Sequence, residues 1–127
     1  MSFKVKFFED DLIDAIGAGI YGIYVQTNDR EELLYIGESV FVLVRCATHL
    51  YEIVKGNGYL GFTKEGIENN NILLIFKLFA AEPDQKKRKE KENKLIKLKN
   101  PRMQSGIRDR VKSVESMIIE MTKLLNR

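Results

Sequence analysis

The stretch NILLIFKLFA, residues 71–80, constrains the fold more than any other part of the chain. It is a continuous apolar run set between NNN and AEPD. A run of that length with turn residues on both sides reads as a central strand buried on both faces. The remaining elements must then cover it. FEDDLIDAIG reads as a short helix, with acids crowding the first turn and Gly17 closing it. GIYGIYV and ELLYIGE read as two strands joined through the turn-rich QTNDRE, hence a hairpin. Ser39 is placed to cap a helix over VFVLVRCATHLYEIVK, which the glycines of GNG end. YLGFTKEGIENN reads as a loop with one helical turn. Asp84 can cap a further helix that must stop near Asn100, before Pro101. SGIRDRVKSVESMIIEMTKLLNR reads as a final helix.

The expected order is α-β-β-α-β-α-α. The economical packing is an α+β fold: a three-stranded, mostly antiparallel sheet flanked by helices, with an extra C-terminal helix over 105–127. With 127 residues, a single domain over 1–127 is expected.

Charge is distributed unevenly. The segment from Lys86 to Lys99 carries +6, so the remainder of this +3 chain sums to −3. A basic stripe on a near-neutral body suits a polyanion, and equally a solvated helix face. Cys46 is the chain's one cysteine, so no internal disulfide is available. With His49 alone it does not complete a zinc set, and it reads as a small core residue. MSFKVKFFEDD shows no apolar signal-peptide core, and VFVLV and ILLIF are far too short to span a membrane. The expectation is a soluble, cytoplasmic protein.

Two places could carry chemistry. Arg45 and His49 are four residues apart on one helix face. Arginine there could grip a phosphate through two parallel hydrogen bonds, and histidine could exchange a proton near neutral pH. The plain alternative is a surface arginine beside a packed histidine. Glu92 lies one turn before Leu95 and Ile96, which with Leu98 are expected to face the body. An inward carboxylate is costly unless paired or bound to a metal. A hard oxygen ligand suits Mg²⁺, which keeps most of its waters. The alternative is a salt bridge to Arg88 or Lys89.

In order, these residues resemble the motifs of the GIY-YIG nuclease superfamily. Gly19-Ile20-Tyr21 matches the first motif and Tyr35-Ile36-Gly37 the second. Arg45 follows Gly37 by eight residues and His49 follows four later, as in the family. ENKLIKLKNPRMQ, with Glu92, Leu95, Ile96 and Pro101, is similar to the family's glutamate segment. The resemblance covers residues 17–104.

It implies a metal-dependent DNA endonuclease. Glu92 would hold one Mg²⁺ or Mn²⁺, Arg45 would bind the scissile phosphate, and Tyr21 would act as general base. Tyr35 and His49 would position water and phosphate or assist proton transfer. Tyr21 and Tyr35 would have their hydroxyls in a shared cleft, with the metal and the cationic surroundings lowering the Tyr21 pKa. Gly37, Ser39, Lys87, Lys91 and Gln104 would lie along double-stranded or branched DNA, with glycine leaving room for its backbone. Two departures stand out. Gln104 occupies the place where the family usually has asparagine. The motif is also doubled, so Tyr24 competes with Tyr21. Tyr21 is preferred because apolar Ile23 follows it at the family's position, whereas Gln26 follows Tyr24. A non-catalytic nucleic-acid-binding module on the same fold, and a protein-interaction module, are the rival readings.

Ile107, Val111, Val114, Ile118, Met121 and Leu125 form a heptad seam. It suits packing against the domain's own sheet, or a homodimer through residues 107–125.

Overall fold

The computed structural model describes residues 2–104. The expected helix over 105–127 and its heptad seam lie outside the described residues.

Four strands form one mixed sheet: β1 (Phe3–Phe7), β2 (Gly19–Thr27), β3 (Arg30–Ser39) and β4 (Ile72–Ala81), in the spatial order β1-β4-β2-β3. The sheet thus has four strands where the sequence reading expected three. The added strand is FKVKF, whose apolar residues alternate with lysines at the period of a strand. It pairs parallel to β4, with Phe7 beside Phe76. Its partner is about seventy residues away in sequence, so local pattern alone could not reveal the pairing.

β4 is the central strand the apolar run implied. It pairs with β1 on one side and antiparallel with β2 on the other. Leu74 and Phe76 are buried on one face and Ile75 on the other. β2 and β3 form the hairpin, turning at Asn28 and Asp29, both with positive φ. Asn and Asp tolerate that left-handed geometry, and it matches the twist of the flanking strands.

The helices are α1 (Leu12–Ala15), α2 (Val42–Val54), α3 (Lys64–Asn69) and α4 (Gln85–Lys99). α1 is shorter than expected because Phe8, buried and at φ 51°, turns the chain before the acids. α2 starts after Phe41 without a side-chain cap; the Ser39 hydroxyl instead accepts the Phe41 N–H at 3.0 Å. α4 is capped as expected, Asp84 accepting the Lys87 N–H at 2.9 Å, and it ends at Asn100 in the left-handed conformation.

α4 covers β2 and β3. Its buried residues are Arg88 and Glu92, and Leu95 and Ile96 are half-buried, whereas Leu98 is 79% exposed instead of packed. Arg88 therefore leaves the solvated basic stripe: its Nε donates to Glu38 at 2.8 Å and its Nη1 to the Pro83 carbonyl at 2.8 Å. Lys87 and Lys91 stay exposed, Lys91 pairing with Glu82 at 2.8 Å.

The chain after α4 returns along the outer edge of β3. The N–H groups of Arg102 and Met103 donate to the carbonyls of Leu33 and Leu34. Gln104 continues this pairing with its side chain, accepting the Ile36 N–H and donating to the Ile36 carbonyl, both at 2.9 Å. An open strand edge invites association with other chains, and this segment covers it. Gln104→Ala is expected to lose about 1–3 kcal/mol in urea unfolding, because two backbone groups of β3 lose their partner.

Candidate functional site

Strand alternation assigns the candidate residues to two layers. Tyr21 and Gly37 are register partners on one face; Glu38, one residue on, points to the other. α2 packs over the first face and brings Arg45 and His49 to the tyrosines. α4 meets Glu38 on the second, through Arg88. Tyr21, Tyr35, Arg45 and His49 are thus brought together; Glu92 is buried on α4, one turn beyond Arg88.

The centre of the first group is His49, fully buried. Its Nε2 lies 2.7 Å from the Tyr21 hydroxyl. Its Nδ1 lies 2.7 Å from the hydroxyl of Tyr59, in the 3₁₀ turn Tyr59–Gly61. The Tyr35 ring sits 5.3 Å from the imidazole and 6.3 Å from the Tyr21 ring. Tyr24 is on the opposite face, against Phe79 with Lys77 over its ring. The doubled motif therefore supplies one tyrosine to His49 and one to the far face.

Gly37 explains why glycine accompanies tyrosine here. A Cβ at Gly37 would meet the Tyr21 hydroxyl and come within 2.6 Å of Tyr21 Cζ. The space that the sequence reading kept for a DNA backbone is filled by the phenol of Tyr21. Gly22 does the same on the other face, beneath the Phe79 ring at 2.6 Å.

Nor is there an open cleft between the tyrosines. Tyr21 is 1% exposed, Tyr35 2% and Arg45 4%. A depression of about 390 Å³ lies elsewhere, lined by Glu9, Asp10, Asp11 and Glu31 together with Lys6 and Lys77.

In the chain by itself, burial outweighs the cationic neighbour of Tyr21. Loss of solvent pushes its pKa well above the usual tyrosine value, and Cys46 and Tyr35 add to the rise. Arg45 pulls it down, but less strongly. Burial likewise raises the Cys46 thiol, again against Arg45.

The donor set at Glu92 is one hard oxygen ligand. Among the described residues no three His, Cys, Asp or Glu side chains cluster as a metal cage. That set fits an ion such as Mg²⁺, which retains several waters and takes one or two carboxylates.

Sequence reasoning missed Tyr59 and the Arg88–Glu38 pair. Tyr59 lies in GNGYLG, a turn-rich stretch whose aromatic is ten residues beyond His49 and carries no spacing signal. Arg88 was hidden by its basic neighbours.

Comparison with known protein families, curated proteins and solved structures gave no match. No helix among the described residues is long and apolar enough to cross a membrane.

Proposed function

We propose that this protein is a metal-dependent DNA endonuclease working through GIY-YIG chemistry. The observation that carries the reading is the hydrogen bond from Tyr21 to His49, with Arg45 one helical turn away on α2.

Tyr21 is the proton acceptor for the attacking water. Its raised pKa makes a standing phenolate costly, so it must pass its own proton on as it takes another. His49 Nε2 receives that proton. The water oxygen bonds to phosphorus, the bond from phosphorus to the 3′ oxygen breaks, and the 3′ oxygen takes a proton from solvent. Arg45 offsets charge developing on the phosphoryl oxygens. Glu92 would hold one Mg²⁺ or Mn²⁺, which when bound polarises the scissile phosphate and stabilises the leaving oxygen. Lys87 and Lys91 follow the flanking phosphates, adding affinity without sequence information. The burial of Tyr21 requires its hydroxyl to be uncovered when DNA binds.

That burial also favours a second reading, a nucleic-acid-binding module that does not cut. One experiment separates the two. Supercoiled plasmid is incubated with wild-type protein and with Glu92→Ala, each with Mg²⁺, Mn²⁺ or EDTA. Nicking or linearisation that needs metal, and that Glu92→Ala loses while still binding DNA, is the expected result. Binding without cutting on plasmid and on branched DNA would favour the binding module. Undiminished cutting by Glu92→Ala would remove Glu92 from the reaction.

A further inference from the structure

Tyr59 sits in a tightly turned piece of backbone. Between α2 and α3 the chain closes on itself: Asn57 bridges Thr63, and the Gly58 N–H donates to the Phe62 carbonyl at 2.8 Å. Gly58, Leu60 and Gly61 all have positive φ, at 96°, 52° and 86°. For Leu60 that conformation is strained, because its Cβ crowds the following carbonyl. It is held because the Leu60 side chain is buried in the main core. Strain retained by surrounding structure is a mark of a positioned group. The group positioned here is Tyr59, whose hydroxyl reaches His49 Nδ1 at 2.7 Å.

The direction of the chain follows from burial. Tyr21 is 1% exposed, and its O–H needs an acceptor inside the protein. His49 Nε2, at 2.7 Å, is placed to accept it. A neutral imidazole that accepts at Nε2 carries its proton on Nδ1. The Nδ1–H then donates to the Tyr59 oxygen. Tyr59 is only half-buried, so its own O–H can be directed elsewhere.

We infer that Tyr59 is a positioning residue that fixes His49 in the Nδ1–H tautomer, leaving Nε2 basic toward Tyr21. This rests on the proposed reaction for its purpose, but its geometry stands without it. Tyr59 touches neither phosphate nor water in this role; it acts through His49. When His49 takes the Tyr21 proton it becomes an imidazolium, and the Tyr59 oxygen remains the acceptor of its Nδ1–H.

The test uses the whole chain, whose single histidine makes the assignment direct. Long-range ¹H–¹⁵N spectra of the imidazole are recorded for wild type and Tyr59→Phe at a pH where the ring is neutral. Phenylalanine keeps the ring packing and removes the hydroxyl alone. The wild type should show Nδ1 protonated and Nε2 bare; Tyr59→Phe should lose that preference. In cleavage assays its kcat should fall about 10- to 100-fold with KM for DNA unchanged, less than the 10²–10⁴ of a lost proton acceptor. An Nε2–H wild type, or an unchanged tautomer in Tyr59→Phe, overturns the inference. A tautomer lost in Tyr59→Phe with no cleavage by wild type upholds the role of Tyr59 and counts against the endonuclease reading instead.

Discussion

Tyr21→Phe is expected to slow DNA cleavage by about 10²- to 10⁴-fold, the usual contribution of a positioned acid or base. Its DNA affinity should hardly change, because Arg45 and the exposed lysines of α4 are left as they are. The substitution keeps the ring that fills the space over Gly37 and removes only the oxygen bonded to His49. Gel-shift and cleavage assays on the same samples measure both quantities. Cleavage within threefold of wild type would exclude Tyr21 as the proton acceptor.

The same residue sets a pH dependence of stability. The folded chain keeps Tyr21 protonated to a higher pH than the unfolded chain does. The stabilisation is complete below the unfolded value, about pH 10. It is lost as pH rises from there toward the raised folded value, at up to about 1.4 kcal/mol per pH unit. Cys46 acts in the same sense from its lower unfolded value of about 8.5. Stability by urea unfolding should therefore decline from about pH 8.5 upward. Tyr21→Phe should decline less steeply than wild type above pH 10, where tyrosine begins to ionise in the unfolded chain.

The largest loss of stability should come from Glu38→Ala. It leaves the Arg88 guanidinium, with its side chain 3% exposed, without its carboxylate partner. Breaking one side of a buried pair costs about 3–5 kcal/mol, because the remaining charge is stranded away from water. The Arg88 bond to the Pro83 carbonyl survives, but a carbonyl does not neutralise the charge. Replacing both partners, Glu38→Leu with Arg88→Met, should recover most of the loss, since no charge is then buried. Urea unfolding of Glu38→Ala and of the double variant decides this. A loss below about 1 kcal/mol in Glu38→Ala would show the pair behaving as an exposed salt bridge.

The sequence by itself determined the elements whose cause is local. The apolar run of β4 demanded burial on both faces. Asn28 and Asp29 allowed the left-handed turn, and Asp84 capped α4. The four-residue spacing of Arg45 and His49 put them on one helix face whatever the sheet did. What only the tertiary structure decided depends on partners distant in the chain. β1 exists as a strand because β4 offers it an edge. Arg88 is buried because Glu38, fifty residues earlier, faces it. Tyr21 faces His49 while Tyr24 does not, because adjacent strand residues point to opposite faces and α2 covers one of them. The direction of the Tyr21 pKa was likewise beyond the sequence. Arg45 lowers it, but desolvation outweighs one cation, and desolvation is a property of the whole packed layer.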